Sequence, residues 1–237
     1  MKRALAASLL ALVAPLALAD DAPAFKFTAG VYHFSGGGAP ASDALDLNLR
    51  HSSDFGNVWI GWFRWPHEQF SQTRAGWDRT FDLGAVRVQP SAQLASGGFA
   101  GGSLYAETGE SWFAGAGIGR TNLRPYANLN FDPNDAWTVA GGYRWADNRS
   151  LAFTLVGDNR QNPDQRHFHV QYRTPVAGRR LVVDLLLKRG IVDGAMVHRA
   201  GLSVGYDWPR FFVRAAWDPK VNFTAQDMLR VQAGTRF

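Results

Sequence analysis

The feature that most constrains this chain is a two-residue rhythm of apolar and polar side chains, repeated almost from end to end. Leu45-Asp46-Leu47-Asn48-Leu49-Arg50 alternates without a break, and Val86-Arg87-Val88-Gln89 does the same and continues through Ala92-Gln93-Leu94. His167-Phe168-His169-Val170-Gln171-Tyr172-Arg173 and Leu229-Arg230-Val231-Gln232-Ala233 repeat it. Successive side chains of an extended strand point to opposite faces, so this period specifies strands with one apolar and one polar face, whereas a helix would space its apolar residues three or four apart.

Clusters of turn-forming residues separate the runs: Ser35–Ala39, Ser96–Gly102, Asp132–Asp135, Asp158–Gln165 and Asp218–Lys220. Reading between them predicts strands near 25–34, 44–51, 57–65, 70–81, 85–95, 102–108, 111–119 and 124–131. Further strands are expected near 136–144, 150–157, 166–174, 180–188, 195–206, 209–217 and 226–237. That makes fifteen candidates, whereas a closed antiparallel barrel of one bacterial chain normally has an even number. The two weakest are 25–34, which also reads as an N-terminal arm, and 124–131, which also reads as part of a long loop from Thr121 to Asp135. No linker or low-complexity stretch divides the chain.

The N-terminus reads as an export signal. Lys2 and Arg3 precede an apolar run from Ala4 to Leu18, and Ala17-Leu18-Ala19 offers small residues where a signal peptidase cuts. The run falls short of the roughly 20 residues of a spanning helix, and no later segment reaches even about 18. The expected organisation is a cleaved leader over residues 1–19 and a single domain over 20–237. Cleavage removes two cations and no acid, lowering the formal net charge from +5 to +3. No Lys/Arg cluster sits on one element, so nucleic acid is not an expected partner. The absence of cysteine excludes disulfides and thiolate chemistry.

Alternation alone fits a soluble sandwich as well as a membrane barrel, and the C-terminus separates the two. The chain ends Leu229-Arg-Val231-Gln-Ala233-Gly-Thr235-Arg-Phe237, an aromatic terminus with apolar or small residues at every second position before it. This resembles the C-terminal signal by which Gram-negative outer-membrane β-barrels are read by the barrel-insertion machinery. The matching residues are Phe237, Ala233, Val231 and Leu229, and Thr235 stands where tyrosine is more usual. The resemblance implies an outer-membrane protein in contact with membrane lipid and lipopolysaccharide. Trp62, Trp65, Trp77, Trp112, Trp137, Trp145, Trp208 and Trp217 fall mostly near strand ends, where interfacial girdles sit. The expected fold is therefore all-β: an antiparallel transmembrane barrel of 12–14 strands.

In such a barrel the apolar face meets lipid, and a charge at the bilayer midplane there costs about 2–4 kcal/mol. The polar positions must then face the lumen. They are rich in arginine: Arg50, Arg74, Arg87, Arg144, Arg173, Lys188, Arg199 and Arg214, with Arg230 and Arg236 near the C-terminus. Permanently charged guanidinium groups around a wet path favour anionic or small polar solutes. The leading expectation is a passive channel, since about 12 or more strands enclose more space than wall side chains fill easily. The alternative is a non-conducting structural or adhesive barrel filled by arginine–carboxylate networks. Oligomeric state is left open.

No phosphate-cradling loop, zinc-protease pair or nucleophile elbow is present, and no cofactor is expected. His51-Ser52-Ser53-Asp54 resembles the His-x-Ser-Asn motif of outer-membrane phospholipases and lipid A deacylases. That likeness implies an ester hydrolase with His51 as base and Ser53 as nucleophile, although Asp54 replaces the asparagine. His167 and His169 share one strand face, but two ligands with no third visible do not make a metal site. The segment from Asn122 to Asp135, carrying Arg124, Tyr126, Asn128, Asp132 and Asp135, reads either as a strand and turn or as a loop that binds a sugar or constricts a pore.

Overall fold

The alternating runs pair edge to edge into one antiparallel sheet that closes on itself. The computed structural model describes residues 23–129, 132–158 and 160–237, so the leader expected over 1–19 lies outside the described residues. The first strands are β1 (Phe25–Gly36), β2 (Ser42–Ser53), β3 (Gly56–Trp65), β4 (Phe70–Asp78) and the two-residue β5 (Phe81–Asp82). Next come β6 (Val86–Ala95), β7 (Phe99–Thr108), β8 (Trp112–Thr121), β9 (Ala136–Arg144) and β10 (Ser150–Asp158). The last are β11 (Arg166–Val176), β12 (Arg179–Val192), β13 (Ala195–Asp207), β14 (Phe211–Asp218) and β15 (Gln226–Arg236). Because β4 and β5 both pair with β6, they form one stave, and fifteen segments make a fourteen-stave wall.

Closure joins the chain ends. β1 pairs with β15 from Lys26↔Arg236 to Gly36↔Gln226. Beyond the ladder, Phe25 N–H donates to the Phe237 carbonyl at 2.8 Å and Phe237 N–H returns to Phe25 at 3.0 Å. Residues 25–34 are thus a full barrel strand and not an arm. Residues 124–129 are no strand, and 130 and 131 lie outside the described residues. β8 pairs directly with β9, from Trp112↔Tyr143 to Ile118↔Trp137, so the wall has no place for another strand there.

The two faces separate by parity. Val31, Leu45, Leu47, Leu49, Val58, Ile60, Val213, Leu229 and Val231 are exposed on the outer surface, giving the wall the apolar exterior that lipid requires. At the end carrying the chain termini, Phe25 stacks with Phe237, Trp112 meets Tyr143, Tyr143 meets Trp145, and Tyr206 meets Trp208. These pairs form an aromatic belt. Turns at this end are short. The opposite end carries the longer connections, including 122–135 and the 219–225 loop with its 3-10 turn at Val221–Phe223.

The lumen is not uniformly polar. Tyr32, Phe34, Ala44, Phe63 and Met228 point inward near the long-loop end and pack with Val221 and Ala127. Here apolar residues occupy both faces of a strand, because a segment inside the barrel covers the inner one.

Candidate functional site: a lumen crossed by an inserted segment

The connection between β8 and β9 turns into the barrel, and the polar wall residues hold it there. Gln72 on β4 donates to the Pro125 carbonyl at 2.9 Å and accepts from the Ala127 N–H at 2.7 Å. Arg74 donates to the Ala127 carbonyl at 3.1 Å, and Arg230 on β15 donates to that of Leu129 at 2.9 Å. The Tyr126 hydroxyl donates to Gln93 on β6 at 2.9 Å, while its ring stacks on Phe99 at 4.2 Å. A non-strand backbone at membrane depth needs partners for its N–H and C=O groups, and here lumen side chains supply them. Among the alternatives open in the sequence, the segment is the loop.

The segment also meets the wall at β11. Asp132 Oδ1 lies 2.9 Å from His167 Nδ1 and 2.9 Å from His169 Nε2, and His169 Nδ1 lies 3.1 Å from Asp184 on β12. Asp135 closes the segment by pairing with Arg120 at 2.7 Å and with Arg160. Burial alone would raise the Asp132 carboxyl, but hydrogen bonds from His167 and then His169 outweigh it and hold the pKa down at about 2. Alternation singled out His167 and His169 but not their third partner, which lies some thirty-five residues earlier in the chain. Beneath the segment the lumen keeps a polar cavity of about 840 Å³, lined by Asn48, Arg50, Gln93, Thr138, Thr154, Gln171, Ser203, Arg214 and Gln232 among others.

Toward the short-turn end the inner face is strongly basic. Register places eight cations there: Lys26, Arg50, Arg87, Arg144, Arg173, Arg180, Arg214 and Arg236. The carboxylates set between them, among the described residues, are Asp78, Glu107 and Asp207, which pair with Arg50 at 3.7 Å, with Arg144 at 2.6 Å and Arg87, and with Arg180 and Arg236. Among the described residues, no carboxylate lies within ion-pair distance of Lys26, Arg173 or Arg214. Lys26, Arg214 and Arg236 instead surround the Phe212 ring at 4.7, 5.2 and 5.0 Å.

The other cations singled out from sequence occupy different settings. Arg74 is buried against Asp46. Lys188 is fully buried against Asp218 and donates to the Lys220 carbonyl at 2.9 Å, tying down the last long loop. Arg199 is exposed on the part of β13 beyond β14, opposite Lys188 in register, and donates to the His198 carbonyl. His51 and Ser53 lie on the outer face of β2. His51 packs on Phe25 at 4.6 Å, the Ser53 hydroxyl donates to the Gly56 carbonyl at 3.3 Å, and no hydrogen bond joins the two among the described residues. Leu229, Val231 and Ala233 face outward, opposite Trp217, Ala215 and Val213.

No protein-family model matches the sequence, and no curated protein is similar to it. Among solved structures the chain is similar to the outer-membrane protein Omp33 of Acinetobacter baumannii. That match has a TM-score of 0.55 at 12% identity, covering 91% of this chain and 98% of that one. The fold is that of an outer-membrane β-barrel. The chain also superposes on the NanC porin (TM-score 0.49, 9% identity, covering 89% of this chain and 100% of that one). For the KdgM porin the figures are 0.47, 8%, 89% and 99%.

Proposed function

We propose that this protein is a passive channel of a Gram-negative outer membrane, favouring anionic and small polar solutes. The observation that carries the reading is the basic inner face, with eight cations and three interleaved carboxylates among the described residues, opening onto a polar cavity of about 840 Å³. Fixed positive charge around a narrow wet path attracts anions and repels cations. Arg50, Arg87, Arg144, Arg173 and Arg214 supply it from the wall of the cavity and its mouth. Arg74 and Lys188, buried in ion pairs, and Arg199, exposed beyond β14, belong to the same sequence pattern but lie toward the long-loop end, outside this basic face. Short turns mark the periplasmic side of bacterial barrels and longer loops the outer side, so in this reading the basic face is the periplasmic mouth. In this reading the leader over 1–19 directs export, and the terminal strand ending in Phe237 is what the insertion machinery recognises. Lipid and lipopolysaccharide cover the outside.

The inserted segment and the apolar cluster around Tyr32 and Phe63 favour a second reading, a barrel closed at its outer end. Planar-bilayer recording of the refolded protein separates the two. Stepwise conductance with an anion-favouring reversal potential in a salt gradient is the expected result. A folded barrel that conducts nothing would establish the closed structural reading instead.

A further inference from the structure

Where the inserted segment meets the wall, Asp132, His167 and His169 bring a carboxylate oxygen and two imidazole nitrogens within 4.8 Å of one another. We propose that these residues form a site for one divalent transition-metal ion, which fastens the segment to β11.

The hydrogen bonding around the cluster prepares it for a cation. Asp184 Oδ1 and Oδ2 lie 3.1 and 3.2 Å from His169 Nδ1, so that nitrogen carries the proton and donates to the carboxylate. Nε2 is thereby the ring nitrogen that faces Asp132 Oδ1, 2.9 Å away. Without a metal, a proton on Nε2 makes this contact a hydrogen bond, and it is this proton that a bound cation would displace. A proton supplies one unit against two carboxylates, whereas a divalent ion supplies two and leaves the cluster neutral. A carboxylate holding the distal nitrogen of a ligand histidine is the arrangement that fixes tautomer and orientation in metal sites. His167, wholly buried, points Nδ1 at the same oxygen from 2.9 Å. Its Nε2 faces the Gln165 side-chain amide at 3.4 Å, and an amide satisfies either tautomer by turning over.

The dimensions and chemistry suit zinc or a similar ion. Two imidazoles and one carboxylate are donors that such ions accept, and bond lengths of about 2.0–2.2 Å place tetrahedral ligands about 3.3 Å apart. The observed 2.9 Å contacts open by a few tenths of an ångström, and the two ring nitrogens, which lie within 4.8 Å of each other, close toward about 3.3 Å as the rings turn onto the ion. Asp132 and His169 also border the lumen cavity, which leaves a coordination position for water or a passing ligand. The inference does not depend on conduction, since a closed barrel would carry the same site.

The test is calorimetric titration of the folded, chelator-stripped barrel with Zn²⁺, with Co²⁺ absorption as a second probe. One saturable site per chain is expected. Asp132→Asn and His167→Gln should each weaken it by at least about tenfold, and Asp184→Asn by about 10–100-fold, as for outer partners of metal-bound histidines. Heat-modifiable gel migration identifies variants that remain folded. If both ligand variants fail to fold, the wild-type Co²⁺ spectrum still decides, because absence of the visible bands of a low-coordinate site overturns the proposal. Absence of saturable Zn²⁺ binding, or binding undiminished in folded Asp132→Asn or His167→Gln, overturns it as well.

Discussion

Arg74 on β4 pairs with Asp46 on β2 across the whole width of the intervening strand β3. Register sets Gly61 of β3 opposite Arg74 on one side and Asn48 on the other, two residues from Phe63, which is opposite Asp46. A Cβ at Gly61 would sit 3.0 Å from Asn48 Nδ2 and 3.3 Å from Arg74 Nη2, so the missing side chain is what opens the passage. Both charged groups are about 5% exposed, and the same guanidinium holds the Ala127 carbonyl of the inserted segment. One side chain therefore ties two staves and the lumen segment together.

Removing it should be costly. Arg74→Ala leaves the Asp46 carboxylate buried without its partner, a change worth about 3–5 kcal/mol. Denaturant unfolding of the refolded barrel measures this. Arg74→Met combined with Asp46→Leu should recover much of the loss, because two apolar groups strand no charge. A single variant as stable as wild type would show that the pair is not a buried anchor.

The basic mouth should behave in the opposite way. Arg50 is 39% exposed in its side chain, and Arg173 and Arg214 have no carboxylate within ion-pair distance among the described residues. Charges that face the wet lumen in this way, Arg214 half-buried among them, contribute about 0–1 kcal/mol each. A variant carrying Gln at all three positions should stay folded, with its reversal potential moved from anion-favouring toward zero. The shift should be clearest in dilute salt, where the Debye length is about 30 Å at 0.01 M. An unchanged reversal potential would separate these arginines from selectivity.

How much of this was legible in the sequence depends on the kind of contact. Strand identity follows from local alternation, so 136–144 was placed to the residue and most other strands to within two or three. Inward-facing arginines follow from parity for the same reason. Alternation cannot say which inward cation is wet and which is buried. Arg74 and Arg173 occupy equivalent pattern positions, and only the inserted segment and Gly61 make one an anchor. The ambiguity over 124–131 has the same origin, since the segment's bonding partners Gln72, Arg74 and Arg230 are remote in the chain. Asp132 read as part of a turn cluster until its contact with His167 and His169 placed it in a site.

The segment's hold on the wall can be loosened at one residue. Gln72 bonds Ser96 O, Pro125 O and Ala127 N, so it joins the segment to the β6–β7 turn as well as to β4. In Gln72→Ala the segment keeps its bonds to Arg74 and Gln93 but should loosen on that side, raising mean single-channel conductance and open-channel noise while the barrel keeps its heat-modifiable migration. Conductance and noise identical to wild type would mean that the segment does not narrow the path.

The last prediction separates recognition from stability at the C-terminus. Phe237 closes the ladder to Phe25 through two backbone bonds, and its ring stacks on that of Phe25 at 5.7 Å. The backbone bonds survive any side-chain change, and the ring lies in the aromatic belt at the edge of the apolar wall. A charge at that depth costs only about 0–1 kcal/mol, far less than at the midplane. Phe237→Asp should therefore refold in detergent micelles with nearly wild-type stability, yet accumulate poorly in the outer membrane of cells, because the insertion machinery no longer reads the strand. Equal accumulation in cells would remove the signal role from Phe237. Loss of folding in both settings would make the residue a structural one, its ring stack being worth more than its depth in the membrane implies.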